Sequence, residues 1–208
     1  MILHNFIVFE GIDGAGTSTQ INLLKEKLPA KKTMFTAEPT EESTGKFLRS
    51  VLKGEVKLHP ATTAFLFAAD RNEHLFSTNG IVAHCKDGGI AVTDRYLFSS
   101  LAYQSISCGK ELPQILNQSF PLPEYLFFFD IEPSISLNRI RGRNVTEIYE
   151  KQDFLEKTAK AYRQIIKDFE NQQKRDGMKI FWIDATKSIK EVEQNIWSVL
   201  KKMPILQK

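Results

Sequence analysis

Residues 6–20 read FIVFEGIDGAGTSTQ, and this stretch decides the fold. Its first four residues, Phe6 to Phe9, form a continuous apolar run, which is typical of a strand buried on both faces of a sheet. A glycine-rich segment follows, and apolar residues then recur at helical spacing from Ile21 onwards. The stretch therefore predicts a strand, a tight turn and a helix in direct succession.

The turn matches a phosphate-binding loop at all but one of its defining positions. Such a loop requires Gly, four further residues, Gly, Lys and then Ser or Thr, and Gly11, Gly16 and Ser18 fit this pattern. The glycines let backbone N–H groups surround phosphate oxygens, and the N-terminus of the next helix attracts the anion. The alternative is a glycine-rich turn that binds nothing. The residues predicted to bind ATP here are Gly11, Ile12, Asp13, Gly14, Ala15, Gly16, Thr17, Ser18 and Thr19.

Thr17 stands where this loop should have its lysine. The lysine normally follows charge onto the transferring phosphoryl group, and loss of one such donor typically costs about 3–4 kcal/mol of transition-state stabilisation. Threonine can donate one neutral hydrogen bond but brings no charge. Three possibilities follow: another cation substitutes, catalysis is slow, or the protein binds nucleotides without catalysis.

Short apolar runs and helical patterns alternate along the whole chain. The runs after the first are Met34–Phe35, Ile90–Val92, Tyr125–Phe129 and Ile180–Ile183. This alternation predicts an α/β fold, in which a five-stranded parallel sheet carries helices on both faces. We expect one domain over residues 1–208, with ligands bound at the carboxyl ends of the strands.

Composition narrows the class of protein. The chain has 208 residues, of which 42% are apolar and 25% are charged, and its small net charge of +3 argues against a dedicated nucleic-acid binder. Cys85 and Cys108 suggest no disulfide framework, so we expect a reducing cytoplasm. The sequence shows no signal peptide, no apolar stretch of membrane-spanning length and no metal-ligand spacing among its histidines. We therefore expect a cytoplasmic protein with neither a membrane nor a nucleic acid as partner.

A charged pair, Asp94 and Arg95, follows one of the buried runs. Because that strand should lie beside the strand of the glycine-rich loop, the Asp94 carboxylate can reach a Mg²⁺ ion that the Ser18 hydroxyl also ligates. Arginine suits planar, multidentate recognition of phosphate, which makes Arg95 a candidate for a second phosphate group. A helix N-cap at Asp94 and a surface salt bridge at Arg95 are the alternatives.

Five ordered motifs resemble the thymidylate kinase family, and the resemblance covers nearly the whole chain. They are Phe9–Gly16 with Ser18–Gln20, Glu38-Pro39, Leu66–Arg71 with His74, Asp94–Tyr96 with Ser99–Gln104, and Arg139–Arg143. Among nucleoside monophosphate kinases, the fourth motif is the most specific for this family. The resemblance implies transfer of the γ-phosphate of ATP to dTMP, which gives dTDP and ADP, with Mg²⁺ as the cofactor. It also implies a homodimer.

The resemblance further implies which residues bind dTMP. Phe67 would stack on the thymine, Tyr103 would form a wall of the base and sugar pocket, and Arg95 would hold the acceptor phosphate. Without the resemblance, the helical spacing of Phe67 would indicate an ordinary core residue. The implied dTMP-binding residues are Asp13, Glu38, Phe67, Arg71, Arg95, Ser99, Ser100, Tyr103 and Gln104.

A run of arginines implies a lid that closes over the ATP phosphates. Some family members carry an arginine at the position of Gly14, whereas others place it in the lid, and this chain resembles the second kind. We expect the lid at about residues 141–150 and contacts to ATP from Arg139 and Arg143, although a charge run is more often a solvated face. The implied catalytic residues are Asp13, Asp94, Arg95, Arg141 and Arg143.

Two departures from the family leave the activity open. Besides Thr17, Ala37 stands where many bacterial members have an arginine beside Glu-Pro, and Lys46 or Arg49 could replace its contact to the dTMP phosphate. In the lid, Thr146–Glu150 holds no cation. The alternatives to a dTMP kinase are therefore a catalytically impaired nucleotide-binding protein and a kinase for another nucleoside monophosphate.

Overall fold

A computed structural model describes residues 1–141 and 152–207, and five parallel strands form one sheet in these residues. The strands are β1 (Ile2–Gly11), β2 (Thr33–Ala37), β3 (Ile90–Asp94), β4 (Leu122–Asp130) and β5 (Lys179–Asp184). They lie in the order β2-β3-β1-β4-β5. Each of the five apolar runs in the sequence lies within one of these strands, and the predicted parallel sheet is confirmed.

Helices connect the strands and surround the sheet. In the described residues they are α1 (Thr17–Leu24), α2 (Ser43–Leu52), α3 (Pro60–Phe76), α4 (Ile81–Lys86), α5 (Leu97–Cys108), α6 (Glu111–Asn117), α7 (Pro133–Ile140), α8 (Gln152–Asp176) and α9 (Ile189–Leu200). Two short 3₁₀ helices span Ala30–Lys32 and Pro204–Leu206. None of the helices in these ranges combines the length and the apolarity that a membrane span requires.

The core lies on both sides of β1. Phe6, Ile7, Val8 and Phe9 are all completely buried, which requires cover on both faces because successive side chains of a strand point in opposite directions. Helices α1, α4, α5 and α8 each contact this strand. The aromatic rings of β4 and β5 extend the core away from β1 along the sheet, and Phe128 packs edge-on against Trp182 at 4.9 Å between ring centroids.

The strand register brings the two sequence motifs of interest together. In the pairing of β1 with β3, Phe9 is level with Asp94, and on the other side Gly11 is level with Phe129 of β4. The glycine-rich segment and the Asp94-Arg95 pair therefore leave neighbouring strands at the same edge of the sheet. In parallel sheets, this carboxyl edge is where ligands bind.

Candidate active site

The glycine-rich bend lies between β1 and α1 and opens on a cavity of about 530 Å³. Gly14 and Gly16 have φ angles of 80° and 101°, which residues with a side chain rarely adopt. The bend residues from Ile12 to Thr19 all line the cavity. Because the N-terminus of α1 follows at once, the bend has the arrangement that suits a polyphosphate.

Two glycines of the bend are packed too closely to accept a side chain. A Cβ atom on Gly11 would lie 3.0 Å from the carbonyl oxygen of Phe129, and one on Gly14 would lie 2.8 Å from the carbonyl oxygen of Ser136 in α7. The Ser136 hydroxyl also donates a hydrogen bond to the carbonyl oxygen of Asp13. The bend is therefore seated on α7, and this seat has no room for an arginine at position 14.

Ser18 and Asp94 meet at the mouth of the bend. The Ser18 hydroxyl donates to Asp94 Oδ2 at 2.6 Å, and Asp94 is not the N-cap of α5, a position that belongs to Tyr96. Mg²⁺ prefers oxygen ligands, and beside a nucleotide it typically takes only one or two of them from the protein. Within the described residues, no three His, Cys, Asp or Glu side chains cluster in a way that would hold a metal alone. The Ser18-Asp94 pair therefore fits an ion that phosphates and water also ligate.

Arg95 is held in an unusual backbone conformation next to this pair. Its φ angle is 73°, and its N–H donates to the carbonyl oxygen of Phe9 at 2.8 Å. Its Nη2 donates to Asp13 Oδ1 at 2.6 Å and its Nη1 to the carbonyl oxygen of Gly11 at 3.0 Å. Strained residues that the surroundings hold in place occur preferentially at functional sites. The backbone thus presents the guanidinium beside the bend.

The charge on Arg95 is secure although most of its side chain is buried. Burial lowers the pKa of Arg95, but the neighbouring Tyr103 phenol and Asp13 carboxylate raise it well above its ordinary value. The guanidinium carbon also lies 5.3 Å from the centroid of the Tyr103 ring. A cation in such a site attracts phosphate more strongly than one in open water, because less solvent screens it.

A second cavity, of about 320 Å³, adjoins the first and is called the acceptor cleft here. All nine residues expected to bind dTMP line it, namely Asp13, Glu38, Phe67, Arg71, Arg95, Ser99, Ser100, Tyr103 and Gln104. The residues that line both cavities are Asp13, Ser18, Asp94 and Arg95. Ligands in the two cavities would therefore approach each other at these four side chains.

Arg71 forms a rigid part of the acceptor cleft and is almost completely buried. Its Nε and Nη2 donate to Glu38 Oε2 at 2.9 and 2.6 Å, and Nη2 also donates to Ser100 Oγ at 3.1 Å. Nη1 donates to Asn117 Oδ1, and the guanidinium lies over the Tyr96 ring. A buried charge with this many partners is fixed in place. Removing one of its charged partners would be strongly destabilising, because the remaining charge would be buried without a counter-charge.

Polar and aromatic groups suited to a base line the rest of the cleft. Phe67 is half-buried and faces the cleft rather than the core. Gln104 is 2% exposed, and its Oε1 has no hydrogen-bond partner among the described residues. The Ser99 hydroxyl, by contrast, already donates to Glu10 Oε2 at 2.7 Å. The cleft thus offers a flat ring and one buried acceptor atom to a planar ligand.

Two of the three arginines near the expected lid, Arg139 and Arg141, lie in the described residues. Arg139 Nη2 donates to the carbonyl oxygen of Ala185 at 2.9 Å, and its Nη1 donates to that of Gly14 at 3.5 Å. Arg141 is exposed just beyond α7. Arg143 and the rest of the expected lid lie outside the described residues. Of the two arginines that the structure describes, Arg139 lines the cavity at the glycine-rich bend and Arg141 does not.

Four site residues escaped the sequence-based prediction or were only candidates. Arg49 lines the acceptor cleft, whereas the other candidate, Lys46, is exposed and does not. Lys187 lines the bend cavity just after β5, where a search of every strand end would have found it. Glu10 and Tyr162 lie behind Arg95. A carboxylate directly after a buried apolar run was the available signal for Glu10, whereas Tyr162 continues the apolar stripe of its helix.

Comparisons with known proteins agree with this geometry. The family model for thymidylate kinase matches residues 9–196. A Treponema pallidum protein is 43% identical over 197 residues, which are 94% of each chain. A Methanocaldococcus jannaschii protein is 35% identical over 98% of this chain and 100% of its own, and a Leptospira interrogans protein is 40% identical over 77% and 81%. All three carry thymidylate kinase in their names.

Gly14→Ala tests whether the bend depends on its seat against α7, with Gly88→Ala as the matched control. The two glycines have φ angles of 80° and 82°, so alanine costs about 1 kcal/mol of backbone strain at either position. A Cβ atom meets nothing within 4 Å at Gly88 in the described residues, but at Gly14 it meets α7. We expect Gly14→Ala to lower the urea midpoint more than Gly88→Ala does, and it alone should weaken ADP binding in calorimetry. Equal losses in both variants would contradict the packing explanation.

Proposed function

The chain belongs to the thymidylate kinase family, and we propose that it transfers the γ-phosphate of ATP to dTMP, giving dTDP and ADP on the route to dTTP. The observation that carries this proposal is the junction of two cavities at Asp94 and Arg95. One cavity opens on the glycine-rich bend and suits ATP, and the other is the acceptor cleft. A phosphoryl group can pass directly between ligands that meet there.

The proposed reaction needs alignment and charge more than it needs a base. The attacking oxygen of dTMP is already anionic, so positioning and charge neutralisation supply most of the rate. Arg95 holds the acceptor phosphate, and its ion pair with Asp13 fixes its direction. Ser18 and Asp94 are the residues that would hold Mg²⁺, which supplies further neutralisation between the ATP phosphates when bound.

Thymine matches the acceptor cleft better than cytosine does. The unpartnered Gln104 Oε1 can accept a hydrogen bond from N3–H of thymine, whereas N3 of cytosine is itself an acceptor. Phe67 offers its ring for stacking, and the buried Arg71 is kept in register by Glu38. Tyr103 is held by its hydrogen bond to Asp13 Oδ2 at 3.0 Å and forms the wall of the sugar site.

On the ATP side, cations from neighbouring elements stand in for the lysine that Thr17 replaces. Arg139 comes from α7 and Lys187 from the segment after β5, and both line the cavity at the bend. Arg141 and Arg143 would add charge from the lid. Charges that come from outside the bend can stabilise the transferring group as long as they lie close to it when ATP is bound.

The proposal extends to assembly and location. Phe65 and Phe76 lie about three turns apart on one face of α3 and are 55% and 52% exposed, which is typical of an interface helix. We therefore infer a homodimer that forms through α3.

Cys85 and Cys108 are both free thiols, as expected for a protein of the reducing cytoplasm that acts on free nucleotides rather than on nucleic acid.

A coupled assay of ADP release tests the proposed activity. With dTMP, dUMP, UMP and dGMP as acceptors, we expect the highest kcat/KM for dTMP, because the cleft matches thymine and has an aromatic wall at the sugar. A higher value for another acceptor would favour the alternative substrate. Failure to release ADP with dTMP at every Mg²⁺ and enzyme concentration would refute the kinase, and tight binding of both nucleotides without turnover would indicate an impaired binder.

Arg49→Ala tests whether Arg49 replaces the arginine missing at Ala37. Arg49 Nη2 donates to the carbonyl oxygen of Pro39 at 2.6 Å, so the guanidinium is held at the edge of the acceptor cleft. We expect its loss to raise KM for dTMP about tenfold, as for one hydrogen bond to a charged group. Lys46→Ala on the same helix removes an exposed cation and should leave this KM unchanged. Unchanged kinetics in both variants would exclude Arg49 from the site.

Thr17→Lys separates a working kinase from an impaired one. If other cations already serve the transferring group, the restored lysine adds little, and we expect kcat to rise by less than about tenfold. The measurement is single-turnover phosphoryl transfer to dTMP, with Thr17→Ser as the control for disturbance of the bend. A gain of about 100-fold or more would mean that the wild-type chain lacks an essential charge.

A further inference from the structure

Glu10 is a buried carboxylate for which the proposed reaction has no use. It lies on β1 directly after the apolar run and just before the glycine-rich bend, and it is completely buried. It does not line the acceptor cleft or the bend cavity. A carboxylate is rarely buried without a role for its charge, since the ionised form loses its hydration.

Its two oxygens gather four hydrogen bonds from two helices and the segment between β3 and α5. Oε1 accepts from the backbone N–H groups of Tyr96 at 2.8 Å and Ser99 at 3.1 Å. Oε2 accepts from the Ser99 hydroxyl at 2.7 Å and from the Tyr162 hydroxyl of α8 at 2.8 Å. Glu10 thus joins the start of α5 to α8 at a point immediately behind Arg95.

The two hydroxyl oxygens also face the Arg95 guanidinium. Arg95 Nη1 donates to Ser99 Oγ at 3.1 Å and lies 3.4 Å from the Tyr162 hydroxyl oxygen. Each hydroxyl has one proton, and because the two oxygens lie only 2.6 Å apart, one hydroxyl donates to the other while the second donates to the ionised Glu10. Neither proton then points at Arg95, and both oxygens keep at least one lone pair for it.

A protonated Glu10 would weaken this arrangement. Its own proton would need an acceptor, and the nearest candidates are the oxygens of Ser99 and Tyr162. The hydroxyl that accepts it would donate in turn to the other hydroxyl, so each oxygen would keep only one lone pair for Arg95. The network would also lose the negative charge that attracts the guanidinium.

Resting on the proposed function, we propose that Glu10 is a positioning residue for Arg95: its negative charge, together with the hydroxyl oxygens of Ser99 and Tyr162 that it holds in place, keeps the guanidinium in position for the acceptor phosphate. Arg95 is then fixed from two sides. Asp13 binds it from the bend, and the Glu10 network binds it from α5 and α8.

Glu10 changes its protonation state near neutral pH. Burial raises the pKa of Glu10 from 4.5 to about 7, although Ser99, Arg95 and Tyr162 each lower it. Glu10 is therefore ionised above about pH 7, and its negative charge behind Arg95 is lost as the pH falls through this value.

Three neighbouring groups keep their protonation states in this range. Burial raises the pKa of Tyr103 and of Tyr162 above the usual tyrosine value, so both phenols stay neutral. Arg95 stays charged, because its pKa is raised. Among the described residues, Asp13 and Asp94 also act on Arg95 and raise its pKa.

Glu10→Gln in the whole chain keeps the shape of the side chain. If the amide nitrogen takes the place of Oε2, a donor replaces an acceptor, and if it takes the place of Oε1, one backbone N–H is left unpaired. We expect about tenfold weaker dTMP binding above pH 7 in calorimetry, as for the loss of hydrogen bonds to a charged group, with ATP binding unchanged. The matched control is Glu124→Gln, since Glu124 is also a strand carboxylate that accepts a backbone N–H, but from Asn5, outside both cavities. It should bind both nucleotides like the wild type.

The pH dependence distinguishes positioning from a purely structural role. Phosphate esters lose their second proton near pH 6, so wild-type dTMP affinity should fall in two steps on acidification, near about 7 and about 6. Glu10→Gln should keep only the lower step. The same two steps in both proteins, or unchanged dTMP affinity in Glu10→Gln, would overturn the proposal.

Stability gives an independent readout. Because the folded pKa of Glu10 is raised, its contribution favours the folded state below the unfolded pKa and is lost as the pH rises through about 7. At pH 8 a neutral glutamine avoids the cost of a buried charge, so we expect a melting temperature no lower than that of the wild type. If Glu10→Gln does not fold, Tyr162→Phe decides: several-fold weaker dTMP binding at unchanged ATP affinity supports the proposal, and wild-type affinity refutes it.

A failure of this inference can be told apart from a failure of the proposed function. If wild-type protein releases ADP with dTMP but Glu10→Gln and Tyr162→Phe behave like it, the kinase stands and Glu10 has no positioning role. If the wild type neither binds nor phosphorylates dTMP, the proposed function itself fails, and the inference fails with it.

Discussion

The site depends on one backbone hydrogen bond beyond the end of β3. The Arg95 N–H donates to the carbonyl oxygen of Phe9 at 2.8 Å, so the pairing with β1 continues one residue past Asp94. The chain then enters α5 with Arg95 at a φ of 73°. As a result, Asp94 faces Ser18 while Arg95 faces Asp13, and one strand end serves both cavities. A regular strand end would present these two side chains to opposite faces of the sheet.

The sequence predicted the fold and the edge at which the site lies, because both follow from continuous apolar runs and from the polar residues that end them. It could not predict contacts that depend on how distant elements pack. Tyr162 continues the apolar stripe of α8 with Leu155 and Ile166, and only the fold shows that its hydroxyl reaches Glu10. The seat of Gly14 on α7 is of the same kind, since nothing near Gly14 in the sequence indicates that α7 packs there.

Two of the arginines that line the acceptor cleft, Arg71 and Arg95, show how the same side chain can take different tasks in one site. Arg71 is paired with Glu38, is surrounded by further polar partners and is 1% exposed, so its charge is neutralised locally and its role is one of shape. The Arg95 side chain keeps 23% exposure and pairs with Asp13 at the junction of the cavities. An incoming phosphate can compete for Arg95 without leaving a buried carboxylate unpaired, because the Asp13 side chain is also partly exposed.

The departures from the family pattern share one physical feature, which is that charge reaches the site from a neighbouring element. The loop after β2 is held by the buried Asp70, which accepts from the Thr40 N–H at 2.8 Å and from the Thr44 hydroxyl at 2.6 Å. With the loop fixed, Arg49 of α2 reaches the carbonyl oxygen of Pro39 and the edge of the cleft. At the bend, cations likewise arrive from α7 and from the segment after β5. A phosphate responds to the position and sign of nearby charges and not to the element that supplies them. Cations from neighbouring elements can therefore supply the attraction that is missing at Thr17 and Ala37.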